Sequence, residues 1–224
     1  MASLECRNVQ LRLGATDALR GASVDVQAGE IVALRGRSGS GKSTLLHCLA
    51  GILRPDSGTV SYGGTRIDDL SERDRSALRR DAYGIVFQAG MLVPDLPLRE
   101  NVMLPLLLTG TRRREAGTQA DAWLERLGLV ACAHRLPAAV SGGQAQRAAL
   151  ARALIHRPRV VFADEPTGAL DSEASELVVE LLTSLVRDHG AALVLVTHDA
   201  TVAAYADREV MLLDGATSGS QVAA

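Results

Sequence analysis

The chain has a single lysine, three cysteines and no unbroken apolar run of membrane length, and each scarcity excludes something. Cys6, Cys48 and Cys132 are odd in number, far apart and form no C-x-x-C pair. A disulfide framework or zinc site is not expected, and a reducing, cytosolic compartment is. The opening residues 1–7 lack the pattern of a signal peptide. The most apolar window, residues 91–108, carries Asp95, Arg99, Glu100 and three prolines, so it falls short of the ~20 clean residues of a membrane span. Excess charge is missing too. With 24 basic and 26 acidic residues the net charge is −2, which leaves no footprint for nucleic acid or an anionic membrane.

What is present fits a folded domain. A length of 224 residues, 47% hydrophobic and 22% charged, suits one domain, or one core with a sub-domain inserted into it. No internal repeat is visible, and the small, polar tail at 216–224 is expected to fray. Lys42 stands alone among 23 arginines. A coding preference for arginine explains the 23, but not the exception. A compact ammonium on a flexible stem is not interchangeable with a planar guanidinium, so position 42 is expected to need the ammonium.

Short alternating stretches at 4–13, 22–26 and 31–34, broken by Gly14, Gly21 and Gly29, predict strands. A helix is predicted over 42–50 with Gly51 as its C-cap, a turn at 55–58, a hairpin strand over 59–67, and a further strand at 84–87. Residues 89–157 have almost no β-branched runs and several helical patterns, and are expected to form a helical insertion, with Arg112, Arg113 and Arg114 at a solvated corner. The apolar runs 160–163 and 192–196 suit parallel strands buried on both faces, with a helix over 173–187 between them. This order predicts an α/β parallel sheet.

Three motifs carry chemistry. Gly36-Arg37-Ser38-Gly39-Ser40-Gly41-Lys42-Ser43 matches GxxxxGK[ST] between a predicted strand and a predicted helix. Its glycines let backbone N–H groups wrap a phosphate, Lys42 can reach the β- and γ-phosphates, and the Ser43 hydroxyl can ligate Mg²⁺. The run 160–163 ends in Asp164 and Glu165. Ligands of open α/β sheets collect at such strand ends, so these acids lie beside the cradle if the strands are neighbours. Asp164 would hold Mg²⁺, and Glu165, on the other side of the pleat, would orient or deprotonate the attacking water. Finally, Ser141-Gly142-Gly143-Gln144 opens a predicted helix. Ser141 and Gln144 fit a capping box, yet two glycines in a first turn are costly for a cap alone. They make sense if an anion must approach the backbone closely, and the cradle already holds its own nucleotide; the phosphates of another subunit are implied.

In this order, with Gln88 after a strand, Ala169-Leu170-Asp171, and His198 after Val196-Thr197, the motifs resemble the nucleotide-binding domain of ATP-binding cassette (ABC) transporters over residues 4–215. The resemblance implies a RecA-like P-loop NTPase core with an N-terminal antiparallel β part and an inserted α-helical subdomain: one domain, 1–224, with core 1–88 and 158–224 and helices at about 89–157. It implies ATP contacts at Gly36, Arg37, Ser38, Gly39, Ser40, Gly41, Lys42, Ser43, Thr44 and Gln88. Ser43, Gln88 and Asp164 would face Mg²⁺, and Glu165, His198 and Lys42 would be catalytic. Ser141, Gly142, Gly143, Gln144 and Asp171 would reach ATP across a homodimer. The implied function is ATP hydrolysis driving a separate integral-membrane permease, with the chain on the inner face of the membrane, uninserted and without a nucleic-acid partner.

Val86-Phe87-Gln88, Met91-Leu92-Val93-Pro94, Arg99-Glu100-Asn101-Val102, Pro105-Leu106 and residues 163–168 resemble the lipoprotein-releasing, macrolide-exporting and cell-division group, which implies export or mechanical transmission. Two rivals stand against this: a soluble ABC ATPase without a membrane partner, and an ATP-binding module without useful turnover, which Glu165 and His198 argue against. Where the family carries an adenine-stacking aromatic, this chain aligns Leu13, and no aromatic precedes Tyr62.

Overall fold

The computed structural model describes residues 4–88 and 90–222. Two sheets are built from the alternating and the apolar stretches respectively. The first is antiparallel, with β1 (Leu4–Leu13), β2 (Thr16–Val26), β4 (Ser57–Tyr62) and β5 (Thr65–Arg66) in the order β2-β1-β4-β5. Its strand β1 turns its buried side chains Leu4, Cys6, Val9 and Leu11 inward, and bulges re-phase the alternation. The predicted single strand over 59–67 is two strands, because Gly63 and Gly64, both at positive φ, turn the chain between them.

The second sheet has six strands in the order β10-β9-β3-β8-β7-β6: β3 (Ile31–Arg35), β6 (Tyr83–Val86), β7 (Val160–Asp164), β8 (Ala192–Val196), β9 (Arg208–Leu213) and β10 (Ala216–Val222). All pairings are parallel except that of β10 with β9. The strands of its centre are buried on both faces, and their residues divide by parity. Ile31, Ala33, Val161, Ala163, Leu193 and Leu195 join one core with α3 (Leu98–Leu108), α4 (Arg113–Arg126), α5 (Gly142–Leu154) and α6 (Ser172–His189). Val32, Leu34, Phe162, Val194 and Val196 join the other, with α1 (Lys42–Leu49) and the first sheet. Cys6 and Cys48 lie in this second core, where burial pushes both free thiols up to about 12.

Helix α1 ends as predicted at Gly51. Its φ of 65° lets Gly51 N bond Cys48 O while Ile52 N bonds His47 O, the paired closure of a Schellman motif. One expectation needs correction, and one stated condition is not met. The tail does not fray from 216: β10 pairs along β9, and Thr217 Oγ1 donates to Ser23 O at 2.9 Å, tying the two sheets together. The carboxylate strand β7 is also not a neighbour of β3, since β8 lies between them. Helix α2 (Glu72–Ala82) is an element not predicted above and buries no residue; the Ser71 cap and the pairs of Glu72 with Arg75 and Arg79 hold it. The remaining elements are α7 (Ala200–Ala203) and two 3₁₀ turns, Val130–Cys132 and Pro137–Ala139. No helix among the described residues is long and apolar enough to cross a membrane.

Candidate functional site

The parallel registers put the ends of β3, β8, β7 and β6 along one edge of the sheet, and the loops leaving them carry the predicted residues. Gly36 has φ 152° and Gly41 φ 99°. A Cβ at Gly36 would collide with the carbonyl oxygen of Leu212, and one at Gly41 with that of Ala18. Glycine is required there by both conformation and space. Lys42, only 7% exposed, folds back over the loop and donates Nζ to Gly36 O at 2.9 Å and to Arg37 O at 3.0 Å. Two loop carbonyls are thus turned to the ammonium, and glycine-rich backbone of this kind ahead of a helix can receive phosphate oxygens.

Although β8 separates β3 from β7, the first turn of α1 restores the expected proximity, because the helix packs over β8 and β7. Ser43 Oγ donates to Asp164 Oδ1 at 2.8 Å. One helical turn later His47 brings Nε2 to 3.9 Å from Asp164 Oδ2. Sequence reasoning passed over His47; the i, i+4 spacing from Ser43 was its one available signal.

Glu165 does not continue the pleat. With φ 46° it leaves the strand in a left-handed turn, its N bonded to Val196 O at 3.0 Å and its own O accepting from Gly168 N at 3.0 Å. The expected placement across the pleat is therefore corrected: the strain turns the carboxylate toward His198, whose Nδ1 lies 2.9 Å from Oε2 and 3.0 Å from Oε1. Gln88 leans over Gly168 so closely that a Cβ there would lie 2.7 Å from Gln88 Nε2.

Ser38, Gly39, Gly41, Lys42, Ser43, Thr44, Gln88, Glu165 and His198 thus line one cavity of about 690 Å³, with Asp164 set behind Ser43. Its other end is formed by Thr16, Asp17, Ala18 and Arg20 of β2 and by the Asp214-Gly215 turn, none of which the motifs indicated. Leu13 is 45% exposed, paired with Thr16, and does not line the cavity.

Ser141, Gly142, Gly143 and Asp171 are not brought to that cavity. They line a separate one of about 260 Å³. The capping box forms in full: Gln144 N donates to Ser141 Oγ at 3.2 Å and Ser141 N to Gln144 Oε1 at 3.0 Å. The N–H groups of Gly142 and Gly143 have no partner within the helix, as at any helix start, and no Cβ shields them. Asp171 caps α6, accepting from Ala174 N at 2.8 Å.

The donors around the main cavity fit a magnesium nucleotide. Ser43, Asp164 and Gln88 offer only oxygen ligands of the hard kind, and no cluster of three or more His, Cys, Asp or Glu among the described residues forms a metal cage of its own. The glycine cradle that a Cβ would fill suits the phosphates.

Comparison with known proteins gives the same picture. Residues 19–168 match the family model described as ABC transporter. The chain is 49% identical over 197 residues to the ABC transporter ATP-binding protein YbbA of Escherichia coli K12, covering 88% of this chain and 86% of that one. It is 47% identical over 200 residues to the lipoprotein-releasing system ATP-binding protein LolD 2 of Caulobacter vibrioides, with 88% and 86% covered. Among solved structures, the dimeric post-hydrolysis state of the ATP-binding cassette MJ0796 bound to ADP and Pi superposes with a TM-score of 0.91 at 35% identity, covering 99% of each chain.

Proposed function

The chain belongs to the ABC transporter family, an ATP-binding and ATP-hydrolysing cassette, and on that premise we propose that it dimerises on ATP to drive a separate membrane permease. The observation that carries the reading is the contact of Glu165 with His198 Nδ1, at 2.9 Å, at the wall of the cavity that also holds Lys42 and Ser43. A phosphate cradle alone binds nucleotide; a fixed carboxylate facing it can act on water.

When bound, Mg²⁺ would neutralise charge on the phosphate oxygens, with Ser43 Oγ, the Asp164 carboxylate and the Gln88 amide as the groups that hold it. Lys42 exchanges its loop carbonyls for β- and γ-phosphate oxygens, contacts that strengthen as charge develops in the transition state. Glu165 accepts a hydrogen bond from the attacking water. His198, held by its Nδ1 to Glu165, keeps Nε2 for the γ-phosphate. The unshielded N–H groups of Gly142 and Gly143, with Ser141, Gln144 and Asp171, serve the nucleotide of the partner in a two-fold dimer. Residues 1–224 act as one cassette, with a core of 1–88 and 158–224 and a helical subdomain at about 89–157.

The permease contact falls on the segment after Gln88. Met91 is 64% and Val93 38% exposed, an apolar edge beside the site. Such a partner places the chain on the inner face of the membrane without insertion, and the likeness to LolD 2 supports a partner of export or mechanical-transmission type. Glu165→Gln tests the core of the reading. It should keep ATP binding, lose most turnover and accumulate as a dimer on size-exclusion chromatography with ATP; turnover at the wild-type rate would refute the role of Glu165.

A further inference from the structure

The turn that carries Gln88 is fastened from behind by a single helix. Phe87 O accepts from Gly90 N at 2.9 Å and from Gln146 Nε2 at 3.2 Å. Arg152 donates Nη2 to Gly90 O at 2.7 Å and Nη1 to Met91 O at 2.8 Å. Both side chains come from the body of α5. The turn lies directly on that helix: a Cβ at Gly90 would meet Gln146 Oε1 at 3.3 Å and Ala149 Cβ at 3.4 Å.

Two features argue that this fastening does more than fill space. Gly90 and Met91 are consecutive left-handed residues, with φ 68° and 44°, and such backbone persists only where its surroundings over-determine it. Arg152 has no carboxylate partner among the described residues, and its burial draws its pKa below the usual guanidinium value. A half-buried cation without a counter-charge gains no ion pair, so an apolar side chain would serve plain packing as well. The fork of the guanidinium instead spans two successive carbonyls. Further along, Asn101, fully buried, accepts from Val93 N at 2.7 Å and donates to Leu96 O at 2.8 Å.

We propose that Gln146 and Arg152 are positioning residues for Gln88: they pin the backbone of Phe87, Gly90 and Met91 on either side of it and so hold the glutamine amide at the wall of the nucleotide cavity. This rests on the reading of Gln88 as a site residue. Because the first turn of α5 carries Ser141, Gly142 and Gly143, the same rigid helix that faces the partner's nucleotide also sets the loop behind Gln88. The cradle is not involved, so nucleotide binding without Mg²⁺ should not depend on the fastening.

A double-mutant cycle between Gln146→Leu and Gln88→Ala tests this, read as phosphate release, as fluorescent-nucleotide affinity in EDTA, and as thermal unfolding. Gln146→Leu should lower kcat about tenfold in the wild-type background and less than about twofold once Gln88 is alanine, because a residue that acts through another has nothing left to position. Affinity in EDTA should stay within about twofold. Arg152→Lys keeps the charge but loses the fork, and should lower kcat about threefold with the same dependence on Gln88. Effects that multiply in the double variants, wild-type kcat in Gln146→Leu, or a parallel loss of EDTA affinity would overturn the proposal. So would unfolding of both Gln146→Leu and Arg152→Lys, since the two residues would then hold the fold and not the loop. Wild-type turnover in Gln88→Ala is a distinct failure, which removes the reading of Gln88 itself while leaving the ATPase assignment to Glu165→Gln.

Discussion

Lys42→Arg is the substitution that this sequence makes most informative. The chain uses arginine at all 23 other basic positions, so arginine at 42 is the residue its composition would supply by default. Lys42 Nζ sits 2.9 and 3.0 Å from the carbonyls of Gly36 and Arg37, and the side chain is 7% exposed. A guanidinium there brings five N–H donors to a loop that turns two carbonyls toward it, and its plane cannot rotate to follow phosphate oxygens as an ammonium does. Each charge-assisted bond lost is worth about 1.5–3 kcal/mol, and each donor left buried and unpaired costs about 1–3 kcal/mol. Taking one lost bond and one orphaned donor at the low end of these ranges gives about 2.5 kcal/mol, or about 70-fold in kcat/KM.

Steady-state phosphate release across ATP concentrations measures this, with a thermal melt to separate it from stability. The melt reads what the bonds to Gly36 O and Arg37 O contribute to the fold, and the loss in kcat/KM should exceed that effect, since Lys42 pairs with no carboxylate among the described residues. Lys42→Ala should lose about as much in kcat/KM. If Lys42→Arg turned over ATP at the wild-type kcat/KM, charge alone would suffice at the cradle, and the lone lysine would be a coincidence of coding.

Three further outcomes follow from the same geometry. Met91→Asp with Val93→Asp should leave basal ATP hydrolysis within about twofold and abolish stimulation by the reconstituted permease, because both side chains are exposed; loss of the folded state would place them in the core instead. Leu13→Tyr should tighten ATP more than GTP, since base stacking on an aromatic ring contributes about 1–3 kcal/mol in nucleic-acid sites and Leu13 pairs with Thr16 at the cavity's end; equal changes for both nucleotides would show that the base lies elsewhere. His156 bonds Tyr83 O through Nε2 at 3.0 Å while its buried Nδ1 has no partner, and burial lowers its pKa below the ordinary 6.5. The unfolded chain therefore takes up the proton first, stability falls as pH drops through about 6.5, and the loss levels off below the folded-state value. Denaturant titrations from pH 8 to pH 5 should show this slope flattened in His156→Gln, and an unchanged slope would mean that another group titrates.

The parts of the fold that could be read in advance share one property: their signal is local. The buried strands β7 and β8 are continuous apolar runs, and α1 is bracketed by its glycine loop and by Gly51. Helix α2 escaped because it buries no residue and carries no apolar stripe, only a Ser71 cap and charge pairs. Strand β10 escaped because its small residues, with Gly219 at the centre, lack an apolar alternation; its place is set by β9 and by Ser23 of β2, nearly the whole chain away. The place of β8 between β3 and β7 was equally invisible, because strand order is a property of the assembled sheet and not of either run alone.

The candidate site divides along the same line. Its phosphate end consists of contiguous backbone, where glycine geometry, the lysine and the serine must follow one another for the N–H groups to converge. A short pattern therefore suffices to announce it. The opposite end is assembled from Thr16, Asp17 and Arg20 on one sheet and Asp214 and Gly215 at a turn of the other, joined by the bonds of Arg20 N to Gly215 O at 2.7 Å and Gly215 N to Ser40 O at 3.0 Å. No spacing can reveal residues that meet only through two sheets. The fastening of Gln88 by Gln146 and Arg152 belongs to this second class, about sixty residues apart in sequence, yet it bears on the turn that joins the site to the exposed Met91. Motif reading thus finds the groups that touch phosphate. The groups that aim them, and that carry their displacement to a partner, become visible only when the chain is folded.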